Sequence, residues 1–280
     1  MSDSPFTDLD RPPLSQVALT RALVRPGALW SSVTVVGRTG STNADLVRAA
    51  KEGAAEGVVL ISEFQEAGKG RLGRPWTAPI RSSLTFSVLL RPTVPPARLG
   101  WLPLLAGVAG ASAVRRVAEV DVRLKWPNDL MIGERKLAGV LAEQIGGVPG
   151  AVVVGMGLNV SVREAELPVP TATSLSLEEA ACTDRDPLIR AVLREMERHY
   201  RDWTAADGDA DACGLRQAYL AVSATVGREV RVELPGGRHL TGLATGIDHA
   251  GHLLVRGVVD GREGEHSLSA GEVVHVRPAG

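Results

Sequence analysis

Residues 135–159 read RKLAGVLAEQ, then IGGVPG, then AVVVGMGLN: two apolar runs joined by a glycine- and proline-rich turn. Their lengths predict two strands, Arg135 to Gln144 and Ala151 to Asn159, and Val122 to Lys125 reads as a third across a Pro-containing turn. Successive strands on short turns predict a largely antiparallel sheet. Working outward, Ser32 to Val36, Val58 to Ser62 and Ser83 to Leu90 are also strand-like. Ser41 or Thr42 caps a helix running to about Glu52, with Ala44, Val47 and Ala50 expected to face inward. Leu99 to Val117 reads as a buried helix despite Pro103. Pro187 to Trp203 puts Ile189, Val192, Leu193, Met196, Tyr200 and Trp203 on one stripe of an amphipathic helix. The class is therefore α+β, a mixed, largely antiparallel sheet with helices covering one face.

From about residue 222 the character changes to short β-branched runs, Val230 to Leu234, His239 to Ile247, Leu253 to Val258 and Val273 to Arg277, with turns such as Pro235-Gly236-Gly237. A small β-barrel fits this pattern. The organisation expected is a loosely attached extension over 1–30, a main domain over 31–221 and a barrel domain over 222–280.

The 280 residues carry 31 basic and 32 acidic side chains, a net charge of -1, so nothing favours bulk attraction to nucleic acid or to an anionic membrane. Neither a signal-peptide core nor an apolar run near ~20 residues is evident, and the cytoplasm is the expected compartment. Cys182 and Cys213 are isolated, without disulfide or zinc spacing.

Function is concentrated in Gln65-Glu66-Ala67-Gly68-Lys69-Gly70-Arg71-Leu72-Gly73-Arg74-Pro75-Trp76. The glycines let backbone N–H groups approach an anion, Lys69, Arg71 and Arg74 supply charge, and Trp76 offers a flat face to a purine. It is neither a P-loop nor a dinucleotide-binding turn, since Pro75 follows at once and no helical period succeeds it. Alone, the segment is equally compatible with a solvated basic turn. Further motifs join it. Lys125-Trp126-Pro127-Asn128-Asp129 aims Asn128 and Asp129 from a turn, where Asp129 could hold Mg²⁺ or simply close an Asx turn. Lys136 begins a strand, and Gly139 removes a side chain where a ligand could approach. Gly155-Met156-Gly157 interrupts a core strand before Asn159, which suits either a ligand lying on the backbone or a β-bulge. Ser41-Thr42-Asn43 offers more hydroxyl and amide groups than one helix cap needs, and the surplus suits a carbonyl or urea.

In this order, from about residue 32 to 220 and with a terminal barrel after them, these segments resemble the biotin protein ligases. That resemblance implies a catalytic domain of the class II synthetase and biotin/lipoate ligase type, with an SH3-like C-terminal barrel. It also implies a two-step reaction: biotin and ATP give biotinyl-5′-AMP and pyrophosphate, and a lysine of a biotin carboxyl carrier protein then takes the biotinyl group. By similarity, Ser41, Thr42, Asn43, Gln65, Lys69, Gly70, Arg71, Lys136 and Gly139 line the biotin site. Arg71, Arg74, Trp76, Lys125, Asn128 and Asn159 serve ATP and the adenylate, Asp129 serves Mg²⁺, and Lys136, Arg71 and Asp129 are the catalytic set. Lys69 stands where family members often carry arginine, keeping the charge without the planar fork. Residues 1–30 are too short for a helix-turn-helix domain, so no sequence-specific DNA binding is expected. Members differ in oligomeric state, and a homodimer stays open. Two other readings are a lipoate ligase or octanoyltransferase and a biotin-sensing module without turnover; the loop cations with Lys136 and Lys-Trp-Pro-Asn-Asp weigh against both.

Overall fold

The computed structural model describes residues 11–234, 239–259, 261–269 and 272–275. Residues 1–10 of the expected extension, the Pro235-Gly236-Gly237 turn and positions 276 and 277 of the last expected strand lie outside these. The larger sheet has seven strands, β1 (Ser32–Val36), β2 (Val58–Ser62), β3 (Ser83–Leu90), β4 (Arg123–Lys125), β5 (Asp129–Ile132), β6 (Arg135–Gln144) and β7 (Val152–Asn159). Their order is β1-β2-β3-β7-β6-β5-β4, and the β1–β2 pair alone is parallel. Strand β5 was not foreseen; it is four residues long and follows directly on the Lys-Trp-Pro-Asn-Asp turn.

Helices lie on both faces, not one. Against one face pack α1 (Gln16–Leu23), α3 (Trp101–Ala118), α4 (Arg185–Ala205) and α5 (Leu215–Val222), sharing a core with Leu84, Phe86, Val88, Val154, Met156 and Leu158. The predicted stripe of α4, from Ile189 to Trp203, is buried there in full. Although α3 is apolar enough by composition to cross a membrane, 67% of that stretch is buried in this core. The remaining helix, α2 (Thr42–Lys51), lies on the other face, where Leu46 and Ala50 meet Leu89, Ile145, Ala151 and Val153. On α2, Ala50 is buried and Val47 packs partly buried beside Leu46 as expected, whereas Ala44 is exposed and the first turn buries Thr42 and Asn43 instead. Two buried polar residues at its start explain the difference: an apolar stripe alone does not anticipate a helix that points its first turn at a polar site.

Residues 11–30 are not loosely attached. Leu19, Leu23 and Trp30 join the main core, each at most 2% exposed. Leu14 N–H donates to Glu63 Oε1 at 2.7 Å, and Arg185, buried in a 2.5 Å ion pair with Glu63, donates to Pro12 O at 2.6 Å. Breaking one side of such a pair costs about 3–5 kcal/mol, since the other charge is left buried.

The smaller sheet has five antiparallel strands, β8 (Glu229–Glu233), β9 (His239–Ile247), β10 (Leu253–Val259), β11 (Arg262–Leu268) and β12 (Glu272–His275), in the order β11-β10-β9-β8-β12. Alternation along β8 buries Val230 and Val232 between exposed residues. The smaller sheet is fastened to the rest by indole N–H donors, Trp101 at the start of α3 to His249 O at 3.1 Å and Trp126 in the β4–β5 turn to Gly251 O at 3.3 Å.

Candidate active site

Every residue named above for biotin, nucleotide or catalysis lines one cavity of about 680 Å³ on the α2 face of the larger sheet. Its floor follows from strand alternation. On that face β3 presents Ser83, Thr85 and Ser87, β7 presents Gly155, Gly157 and Asn159, and β6 presents Gly139, Leu141 and Glu143; the residues between them enter the core behind.

The two glycines of β7 make room for protein side chains, and that corrects the expectation that a ligand lies on bare backbone there. A Cβ at Gly155 would stand 2.1 Å from Asn43 Oδ1, and one at Gly157 would stand 2.3 Å from Trp76 Cε2. Trp76 therefore lies on Gly157 and reaches Gly139, its cross-strand partner, where a Cβ would be 3.6 Å from the ring. Its Nε1 is buried without a hydrogen-bond partner.

At the Gly155 end the groups lining the cavity are uncharged, with the Glu143 carboxylate behind them. Ser41 caps α2, its Oγ accepting from Ala44 N at 3.5 Å, which such a cap stabilises by about 1 kcal/mol. Gln65 Oε1 accepts from Thr42 N at 2.8 Å and from Thr42 Oγ1 at 3.0 Å. Ser87 Oγ contacts Thr42 Oγ1 at 2.7 Å and Asn43 Oδ1 at 2.6 Å, while Asn43 Nδ2 donates to Glu143 Oε2 at 2.6 Å and Leu141 O at 3.4 Å. The Asn43 amide is thus spent on the protein. Ser87 and Glu143 were missed by the sequence reading, although Ser83, Thr85 and Ser87 alternate with apolar residues in plain view.

One pleat away, about 7 Å along β7, stands Lys136. A register shift in the β5–β6 pairing leaves Leu137 as an extra residue on β6, so Met131 pairs with Lys136 and Leu130 with Ala138. Leu137 and Ala138 both enter the core, which turns Lys136 onto the same face as Gly139; a Cβ at Gly139 would be 3.3 Å from Lys136 Nζ. The strand end is clamped as Lys136 N donates to Thr171 O at 2.7 Å and Thr173 N donates to Lys136 O at 2.9 Å. Lys136 Nζ pairs with Asp129 Oδ1 at 2.6 Å. Asn159, buried, holds this clamp: its Nδ2 donates to Thr173 O at 3.0 Å, and its Oδ1 accepts from Ser83 Oγ at 3.2 Å.

Beyond Lys136 are the cations. Arg71 donates to Asn128 Oδ1 at 3.4 Å, and Asn128 is fixed to β6 by Nδ2 donating to Val140 O at 3.0 Å and O accepting from Val140 N at 2.9 Å. Lys69 and Arg74 are exposed on the cavity rim, Gly70 N donates to Arg74 O at 2.7 Å, and Lys125 is half-buried in the wall. Among the described residues no group of three or more His, Cys, Asp or Glu could hold a metal. Asp129, with one oxygen on Lys136, fits an ion carried chiefly by phosphates, not a protein cage.

The sheet and its site define a ligase of the biotin and lipoate class: residues 36–159 match the biotin/lipoate A/B protein ligase family, and residues 225–276 match the biotin protein ligase C terminal domain. The chain is 43% identical to a biotin–[acetyl-CoA-carboxylase] ligase of Mycobacterium tuberculosis, covering 97% of this chain and 100% of that protein. A second relative of the same description, from Paracoccus denitrificans, is 31% identical over 80% of this chain and 93% of its own. The structure also resembles a biotin protein ligase from Aquifex aeolicus solved in complex with biotin and ATP, with TM-score 0.70 and 26% identity, covering 89% of this chain and 100% of that one. The chain belongs to the biotin protein ligase family.

Proposed function

We propose that this ligase uses the uncharged end of its cavity for the ureido ring of biotin and the cationic end for ATP, with Lys136 at the meeting point. The observation that carries this reading is the bulge-directed placement of Lys136 on the same sheet face as the Thr42–Gln65 group and Trp76. A biotin carboxylate oxygen attacks the α-phosphorus and pyrophosphate departs. The ε-amine of a lysine on a biotin carboxyl carrier domain then attacks the acyl carbon and AMP departs. No protein nucleophile is needed; catalysis is positioning and charge stabilisation.

Lys136 offsets the repulsion as two anions converge, a task suited to a compact point charge. Arg71, held by Asn128, and Arg74 face phosphate, and Trp76 covers the adenine. Asn43 and Asn159 act by position, Asn43 through its neighbours on the floor and Asn159 through the Lys136 clamp. Mg²⁺ borne on the ATP phosphates would find in Asp129 one carboxylate and would lower the charge that departing pyrophosphate carries. ATP as cosubstrate supports a cytoplasmic setting, and sequence-specific DNA binding forms no part of the proposal.

Incubation with biotin, labelled ATP and Mg²⁺ should yield biotinyl-AMP and pyrophosphate, and a carrier domain should then accept the label. An adenylate from lipoate but not from biotin would select the lipoate reading. No adenylate from either would leave a binding module.

A further inference from the structure

Four oxygens stand in a row at the cavity floor, with Ser87 beneath it: Asn43 Oδ1, Ser87 Oγ, Thr42 Oγ1 and Gln65 Oε1, with successive contacts of 2.6, 2.7 and 3.0 Å. Each contact needs a proton, and the row holds two, on the hydroxyls of Ser87 and Thr42. Which end is short depends on Asn43. A carboxylate only accepts, so Glu143 Oε2 at 2.6 Å draws Asn43 Nδ2 toward itself and turns Oδ1 to Ser87. Ser87 must then spend its proton on Asn43. Thr42 has one proton for two acceptors, Ser87 Oγ and Gln65 Oε1, and when it serves Ser87 a lone pair of Gln65, which lines the cavity, is left without a donor.

If the Asn43 amide were reversed, Nδ2 would donate to Ser87, Ser87 to Thr42 and Thr42 to Gln65, whose Oε1 would then hold both Thr42 donors with no lone pair left. We propose that Glu143 is a positioning residue for specificity: by fixing the Asn43 amide it keeps the Thr42–Gln65 group one proton short, and so holds an acceptor ready for a ligand N–H of urea type. The vacant lone pair is the element that distinguishes a ligand with a ureido N–H from one without. Gly155 belongs to the same device, because any Cβ there would displace Asn43 Oδ1.

This inference rests on the proposed biotin end of the cavity, and the test separates the two. In Glu143→Gln the new amide can present its own N–H to Asn43 and release the orientation. Biotin affinity, by titration calorimetry, should fall about tenfold, the scale of a lost charge-assisted hydrogen bond. Affinity for biotin methylated on its ureido nitrogens should stay within about twofold, the scale of a contact that was never made. The KM for ATP and kcat at saturating biotin should hold. Ser87→Ala, which leaves Glu143 intact, should show the same collapse of discrimination, because Thr42 is then free to donate to Gln65. Equal losses for both ligands together with a lowered melting temperature would overturn the proposal in favour of a merely structural Glu143. Unchanged biotin affinity in Glu143→Gln would overturn it too. If Gln65→Ala also left biotin affinity unchanged, the pocket assignment itself would fail with it.

Discussion

On β7 the side chains directed at the helices are Val152, Val154, Met156 and Leu158, at most 3% exposed; those directed the other way include Gly155, Gly157 and Asn159. Strand β3 divides likewise, Leu84, Phe86, Val88 and Leu90 against Ser83, Thr85 and Ser87. One face stabilises by excluding water from large apolar groups. The other packs a small apolar cluster under α2, with Leu89 and Val153, and where it floors the cavity spends its positions on glycines and short polar groups that admit Asn43 and Trp76. Stability and chemistry are thus carried by alternate residues of the same strands, and substitutions one position apart should have effects of different kinds.

The largest expected effect is on the covered face. Phe86→Ala should lower unfolding free energy by about 3–5 kcal/mol, measured by denaturant titration, with KM values of the folded fraction unchanged. A shifted KM at intact stability would break the division. On the open face, Lys136→Ala should slow single-turnover adenylate formation about 100- to 1,000-fold while biotin affinity by calorimetry is largely kept; unchanged chemistry would remove Lys136 from its central place. Gly157→Ala adds a single methyl that displaces the indole, and misplacement on this scale should reduce kcat/KM for ATP about 10- to 100-fold at little cost in melting temperature. A stability loss without a change toward ATP would mean that Trp76 serves packing alone.

The smallest effect is at a site apart from both faces. Glu166 is held below the usual carboxylate range, first by its hydrogen bond from Arg11 at 2.6 Å, against a desolvation cost. A depressed carboxylate contributes stability above its ordinary pKa and loses it as pH falls through the lowered value. Melting curves of Glu166→Gln and the parent should therefore separate slightly at neutral pH and converge in acid, with adenylate formation the same in both. Parallel curves across pH would show that the Arg11 contact does not stabilise residues 11–15.

Much of the fold was legible because apolar period and turn chemistry are local. Strands β6 and β9 begin and end where their sequences predict, and α4 buries its whole stripe. The misses have physical causes. Strand β11, Arg-Glu-Gly-Glu-His-Ser-Leu, is polar enough to hide among turns, and α5 is eight residues with a short stripe. The candidate site residues were legible as motifs, and one cavity gathers all of them. What the sequence could not show was how their capacity is spent. That the amides of Asn43 and Asn159 are occupied by protein partners, and that Leu137 adds the residue which turns Lys136 to the open face, are facts of register. Register depends on strand pairing across the sheet, which no single run of residues encodes.

Trp76, seated on Gly157 with an unpaired Nε1, gives the protein an optical property. Of the five tryptophans, Trp76 and Trp126 line the cavity, Trp76 half-buried and Trp126 2% exposed, whereas Trp30, Trp101 and Trp203 are buried away from it. If adenine is seated on Trp76 as proposed, its arrival should change the polarity around that indole and its quenching, over a background from the three tryptophans outside the cavity. The chain's own fluorescence should then report occupancy of the cavity without a label.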